Sequence, residues 1–392
     1  MRTILLAWEL GAGFGHVTAL GRLAAKFAPH GFRLIAIVNN VTSASVLAAQ
    51  GVEVLQAPGW PSALQSDPRK SLSSATLGDT LGDLGFADEE ALRSLIGAWD
   101  RLFTRIAPDL VVCDYAPAAA LAARGRIPLA LTGSGFTLPP AEMEKFPLLH
   151  AMARPVWPEE RLLETVNAAL RAFDRQQLER LPQLFAGDLH WVRTFPLLDA
   201  YNLWRERPPQ GPLIDRLPDA RRADAREILV YISGHLGRHP QILHALRMVA
   251  ERVRIFAPGV PGGELERLAG FGMRIERAPF RLPDELASAR LVIHHGSAGI
   301  SAEALIAGVP QLLLSIHIEH DLAGAALESA GVGKLIKLHD PAASRTADMI
   351  ASVLNDGTMA EQAKKVGDFH RLMFEHADPL SEFDVGCRSL IA

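Results

Sequence analysis

The sequence predicts an α/β protein of two Rossmann-like, doubly wound domains, and three observations carry that prediction. Short apolar runs alternate with helix-period patterns in both halves of the chain. The chain has 392 residues, which exceeds one comfortable core. Each half also carries a glycine-rich loop directly after an apolar run, Gly11 to Gly15 in the first and Gly296 to Gly299 in the second. Strands separated by helices imply parallel sheets covered on both faces. Ligands then bind beyond the carboxyl ends of the strands, so both loops are expected to open onto a shared interdomain cleft.

The first half opens with a strand at Ile4–Trp8. A helix follows with apolar positions Val17, Leu20, Leu23, Ala24 and Phe27, and then a strand at Leu34–Val38. Further strands are expected at Leu110–Cys113 and Leu129–Leu131, with a helix over Ala116–Ala123 between them. The stretch Pro58–Leu84, rich in Pro, Ser and Gly, reads as long surface loops that either bind an acceptor or merely vary. Leu92, Leu95, Ile96, Trp99, Leu102, Phe103 and Ile106 recur at helical spacing and read as one amphipathic core helix. A second long helical pattern covers Glu159–Leu181.

The domain division is placed at 1–210 for the N-terminal domain, 211–226 for a Pro- and Arg-rich linker, 227–375 for the C-terminal domain and 376–392 for a tail packing back on the first. The second half repeats the alternation without repeating the sequence. Its strands are expected at Ile228–Ile232, Val253–Ala257, Leu291–His294 and Leu312–Ser315, with a helix near Gln241–Glu251.

Composition closes several function classes. Hydrophobic residues make up 48% and the formal net charge is −4, a globular balance without the concentrated basic face that nucleic acid needs. Cys113 and Cys387 are the only cysteines, so there is no disulfide framework, and a cytoplasmic home is expected. The Thr3–Trp8 run is too short for a signal-peptide core, and no apolar stretch is long enough for integral membrane insertion. The histidines lack Cys or acidic partners at metal-ligand spacing, so neither metal nor cofactor is expected.

The most informative stretch is Leu291 to Pro310, an apolar run, a small-residue loop opened by His294-His295, and an apolar helix over about Ile300–Ala307 stopped by Gly308 and Pro310. Gly296-Ser297-Ala298-Gly299 lets a ligand approach the backbone, and the helix aims unpaired N–H groups and its positive dipole end at it. His295 can add a donor, and Glu303, eight residues on, can accept from a ribose. Such a loop also serves ordinary βα packing.

Gly11-Ala-Gly-Phe-Gly-His16 falls short of a dinucleotide fingerprint, since His16 stands at the third glycine and Asn39-Asn40 follow the second strand where an acid would be needed. It does place a histidine at a helix start, where the dipole disfavours imidazolium and leaves the ring able to accept a proton. Asp114, at the carboxyl end of the Leu110–Cys113 strand, can fix its tautomer. Alone, His16 also reads as a plain helix-start residue.

With these residues in view, the chain resembles the UDP-glycosyltransferase superfamily, in particular bacterial antibiotic and macrolide glycosyltransferases. Their donor signature begins with His-Gly, has a ribose-binding Glu eight residues later and ends in Gly-Val-Pro; here these are His295-Gly296, Glu303 and Gly308-Val309-Pro310. Gly15-His16 and Pro108–Asp114 resemble the segments carrying the family's catalytic His and Asp. Ile228–Gly234 resembles the first donor-domain strand and turn, and Arg277–Pro283 the segment flanking the base pocket. The resemblance implies a GT-B fold and an inverting, metal-independent transfer from a nucleoside diphosphate sugar to a hydroxyl acceptor.

By the same resemblance His16 and Asp114 are catalytic, and His295, Gly296, Ser297, Gly299, Ile300, Ser301, Ser233 and Gly234 hold the diphosphate. Glu303 holds the ribose, and Gly13, Phe14, Gly15, Ser134 and Phe136 line the acceptor side. The pattern departs at the sugar end, where Glu319-His320 replace the Asp-Gln of many members, so glucose cannot be assumed. Uridine and thymidine both fit, and the sequence does not fix the oligomeric state. A peripheral membrane contact stays open through Phe136–Pro140 and Phe146–Leu149. Two rivals remain: a nucleotide-sugar epimerase or hydrolase of this fold, and a non-catalytic nucleotide-sugar-binding auxiliary protein.

Overall fold

The computed structural model describes the whole chain except residues 12, 13, 61–73, 150–152, 215, 233–238, 339, 341–344 and 376, together with the side chain of Phe14. Two compact units emerge, one of Met1–Thr194, Tyr201–Leu213 and Asp378–Ala392, the other of Phe195–Ala200 and Ile214–Ala377. The expected linker is therefore shared out. Leu213 packs in the first core, whereas Ile214 and Leu217 pack in the second. Arg221 and Arg222 donate backbone N–H bonds to Ala307 O and Ala287 O of the second unit.

The first unit holds a parallel sheet ordered β3-β2-β1-β4-β5-β6. Its strands are β1 (Thr3–Trp8), β2 (Arg33–Val38), β3 (Glu53–Gln56), β4 (Leu110–Asp114), β5 (Leu129–Gly133) and β6 (Leu189–Val192). Every residue of β1, β4 and β5 is buried, which is why these strands read as continuous apolar runs. Ile4, Leu6 and Trp8 turn to the face covered by helix Phe14–Phe27 and by Leu380, Phe383 and Cys387 of helix Pro379–Ser389.

The second unit repeats the plan in the order β12-β11-β10-β7-β8-β9. These strands are β7 (Glu227–Tyr231), β8 (Val253–Phe256), β9 (Arg274–Ile275), β10 (Ala289–His294), β11 (Gln311–Ser315) and β12 (Gly333–Lys337). Both sheets have the doubly wound order, with the chain reversing direction of travel between β1 and β4 and between β7 and β10. The predicted fold class of two Rossmann-like domains is the one observed.

Two expectations need correction. Within Pro58–Leu84, residues 61–73 lie outside the described ones and Pro58–Trp60 is non-helical, but the last part is a largely buried helical segment rather than surface loop: Leu77–Leu81 continues into Gly82–Phe86, with Leu77, Leu81 and Phe86 buried. Thr76 and Asp79 form a reciprocal capping box, and Asp79 also accepts from the N–H groups of Val156 and Trp157. The second long helix stops at Arg171 rather than running to Leu181. Asp174 takes φ 53, and the Arg175 N–H closes back onto Leu170 O, which ends the helix there.

Candidate active site

At the first switch point β1 ends in Trp8, and helix Phe14–Phe27 begins one short loop later. His16 in its first turn lays its ring against Trp8, with centroids 5.2 Å apart and 19° between planes. Gly11 makes room for it: φ is +86°, and a Cβ there would stand 2.6 Å from His16 Nε2. His16 Nδ1 lies 3.2 Å from Oδ1 of Asp114, the last residue of β4, whose side chain is wholly buried. The approach is close but too bent for a well-formed hydrogen bond.

The structure adds Arg193, which the sequence reading missed. It follows the last residue of β6, and its Nη2 donates to the same Asp114 Oδ1 at 2.7 Å. Burial alone would raise the Asp114 carboxyl, but the Arg193 charge, with His16 next, holds it below the usual carboxylate range. The base candidate thus sits on a buried carboxylate that stays ionised.

Gly15 is exposed, whereas Gly13 and the Phe14 side chain lie outside the described residues. Ser134 is engaged with its own loop, its N–H donating to Thr137 Oγ1 at 2.9 Å and its Oγ accepting from the Thr137 N–H. Phe136, Leu138 and Phe146 are buried, so the apolar surface raised for a membrane contact is withdrawn at these positions, while Leu148 is exposed.

At the second switch point β10 ends in His294, and helix Ala298–Ala307 begins two residues earlier than expected. Ser297 stands at its N-cap without a side-chain cap bond, which leaves the first-turn N–H groups without an intrahelical acceptor. Nothing would meet a Cβ at Gly299 within 4 Å, so this helix tip is open. Ile300 is half-buried; Ser301 and Glu303 are buried. Ser233 and Gly234 lie outside the described residues.

The turn is fixed from behind by a relay of hydrogen bonds. The Gly296 N–H donates to His294 Nδ1 at 3.1 Å, His294 Nε2 meets Gln311 Oε1 at 3.0 Å, and Gln311 Nε2 donates to Ser301 O at 3.1 Å. This requires a neutral ring protonated on Nε2. Burial, with His295 alongside, indeed brings His294 down to about 3. Burial and then His317 bring His295 to about 4.

Gly296 has φ +96°, and a Cβ there would stand 3.0 Å from His320 Cβ, Cγ and Cδ2. His320 therefore backs the turn and is itself buried, with its ring 3.6 Å from that of His317 and 5.4 Å from that of His295. Glu319 is half-buried in the first turn of helix Ile318–Ser329. The rings continue through His295, Tyr231 and Phe256, with successive centroids 5.1 and 5.5 Å apart. They end at a cavity of about 660 Å³ lined by Phe256, Val260, Leu265, Ile275 and Arg277. Among the described residues no three His, Cys, Asp or Glu converge to hold a metal ion, and no helix is long and apolar enough to cross a membrane.

Two parallel Rossmann-like sheets, each with its glycine turn at the switch point, define the GT-B glycosyltransferase fold. The chain is similar in fold to the spinosyn rhamnosyltransferase SpnG complexed with thymidine diphosphate, at TM-score 0.69 and 18% identity, covering 98% of this chain and 99% of that one. Residues 270–371 match the family model of the "Erythromycin biosynthesis protein CIII-like, C-terminal domain".

Among curated relatives, the O-mycaminosyltylonolide 6-deoxyallosyltransferase of Streptomyces fradiae is 29% identical over 120 residues, which span 30% of this chain and 27% of that relative's length. The PGL/p-HBAD biosynthesis glycosyltransferase of Mycobacterium tuberculosis (strain ATCC 25177 / H37Ra) is 25% identical over 312 residues, 72% of each chain.

Proposed function

We propose that this chain is an inverting, metal-independent hexosyltransferase that moves a sugar from a nucleoside diphosphate to a hydroxyl of a small-molecule acceptor. The observation that carries the reading is the His16 ring held 3.2 Å from the buried carboxylate of Asp114 at a switch point. His16 takes the proton of the acceptor hydroxyl as that oxygen forms its bond to the anomeric carbon. The bond from this carbon to the diphosphate breaks on the opposite face, and its electron pair leaves with the diphosphate oxygen. Asp114 steadies the imidazolium until the proton passes to solvent.

The open tip of helix Ala298–Ala307 and His295 receive the negative charge that builds on the leaving group, through N–H dipoles already in place. Glu303 takes the ribose, and the cavity beside Phe256 and Arg277 takes the base. Thymidine diphosphate is the first nucleotide to try, because a structural neighbour is described in complex with it. Free, buried Cys113 and Cys387 fit a cytoplasmic enzyme, and burial of Phe136, Leu138 and Phe146 favours a small-molecule acceptor over a lipid.

His16→Ala tests the assignment. Turnover should fall roughly 100- to 10,000-fold, while calorimetry shows thymidine or uridine diphosphate binding unchanged. Loss of nucleotide binding with turnover kept at saturation would refute it. Product formed with no acceptor present would point instead to a hydrolase or epimerase.

A further inference from the structure

We propose that Arg193 is a positioning residue: by holding the Asp114 oxygen that faces His16, it shares the carboxylate with the imidazole and weakens the hold of Asp114 on a His16 proton, which leaves the ring free to take the acceptor proton. The inference rests on the reading of His16 as the base. Both side chains use one atom, Asp114 Oδ1, at 2.7 Å from Arg193 Nη2 and 3.2 Å from His16 Nδ1. The two nitrogens therefore lie within about 6 Å of each other. Asp114 Oδ2 is buried and accepts no hydrogen bond among the described residues, so the guanidinium and the imidazole share a single anchor. The side chains of Arg193 and His16 are only 12% and 17% exposed, which leaves little water to screen them.

A carboxylate facing only an imidazole would draw it into a tight ion pair and hold its proton up to high pH. A guanidinium on the same oxygen spends much of that attraction. Removing it raises the proton affinity of the His16–Asp114 pair whichever member carries the proton.

Among the described residues, the titratable groups nearby include Cys113, Glu9 and Tyr115. Burial, then Glu9 and Asp114, push the Cys113 thiol well up, so it stays protonated. Burial raises Glu9 to about 7, and its carboxylate is bonded to the Trp99 indole and the N–H groups of Ala118 and Ala119. The Tyr115 ring stands 6.3 Å from that of His16. These groups are common to wild type and Arg193 variants, so the difference between the proteins isolates Arg193.

The test uses the full chain with ¹³C-labelled histidine, the His16 signal being assigned by its loss in His16→Gln. Arg193→Met should move the His16 transition up by about 1–2 pH units, and the acid limb of kcat/KM should move with it. Arg193→Lys should return both close to wild type. An unmoved His16 transition in folded Arg193→Met overturns the proposal. A moved transition with an unmoved acid limb overturns the reading of His16 as base and, with it, the catalytic part of the proposal.

If Arg193→Met alone does not fold, adding Asp114→Asn removes the unpaired buried charge. In that background the His16 transition should lie less than about one pH unit above that of Asp114→Asn alone, the remainder being direct repulsion by the guanidinium. A larger difference means that Arg193 acts without Asp114, and the shared anchor is wrong.

Discussion

Beside β1 and β4 a glycine turn holds one imidazole against a buried carboxylate and a guanidinium, whereas beside β7 and β10 a glycine turn is backed by imidazoles that burial keeps neutral. The backbone plan is common to the two and the electrostatics are opposite. Under the proposed function the difference follows from the work each performs. A base must change its charge during turnover, so it needs fixed charges around it that tune when it does so. A cradle of N–H dipoles has only to stay in place while charge arrives, so neutral rings locked by hydrogen bonds suit it.

The two glycines sharpen this contrast and carry the largest expected effect. At Gly296 both the φ of +96° and the wall of His320 oppose a side chain, and the buried His320 ring has nowhere to go. Gly296→Ala should cost roughly 1–3 kcal/mol in backbone strain alone, with further cost from displacing His320, and it should abolish measurable nucleotide diphosphate binding. At Gly11 the obstacle is the outer edge of a part-exposed ring. Gly11→Ala carries the same backbone strain, its φ being +86°, and should also swing His16 off Asp114, lowering turnover with a smaller loss of melting temperature than Gly296→Ala. Calorimetry, thermal melting and kcat on the two variants compare them directly, and equal losses of stability would break the contrast.

What the sequence made legible follows burial. The inner strands β1, β2, β4 and β5 of one sheet and β7, β8, β10 and β11 of the other were each expected from an apolar run. The four that escaped, β3, β6, β9 and β12, are the sheet edges. Edge strands bury less, and Glu53–Gln56 and Arg274–Ile275 contain no fully buried residue, so the apolar signal fades. Missing β6 also hid Arg193, because nothing else in the chain puts it on the rim that carries Asp114. The positions of His16, Asp114, His295 and Gly296 at the strand ends and loops were legible because loop glycines and apolar runs mark them locally. The packing of Gly296 on His320, and the relay from His294 to Gln311, join residues whose distance in space no local pattern encodes. The Thr76–Asp79 capping box was a readable signal inside a stretch that composition alone assigned to loop.

A milder probe is pH, to which the two units should respond in opposite directions. His294 and His295 drop from 6.5 to about 3 and about 4 in the folded protein, and His317 and His320 are lowered too, in each case by burial first. The unfolded chain binds these protons first, so the second unit is fully stable above pH 6.5 and loses on the order of 1 kcal/mol per histidine for each pH unit below it. In the first unit, burial raises Glu9 and Glu159 from 4.5 to about 7. Here the folded state holds the proton longer, so this contribution is complete below pH 4.5 and is lost as pH rises to 7. Hydrogen exchange between pH 7 and 5.5, corrected for intrinsic rates, should show β10 and β11 losing protection while β1 and β4 do not. Parallel losses would refute the assignment of the histidines as the acid-sensitive element.

The smallest effect expected is at Gln311, and it asks whether the neutral relay is structural or part of binding. Gln311→Leu keeps the volume of this wholly buried side chain but leaves the His294 Nε2 proton and the Ser301 carbonyl without their partner. An unmet buried donor or acceptor costs about 1–3 kcal/mol, which for a unit of this size lowers the melting temperature by a few degrees. Nucleotide affinity should fall only modestly, since the Gly296 N–H still has His294 Nδ1 and the helix tip keeps its N–H groups. Affinity lost as completely as in Gly296→Ala would mean that the relay sets the position of the helix tip rather than merely bracing it. A variant as stable as wild type would mean that the buried amide contributes nothing beyond its volume.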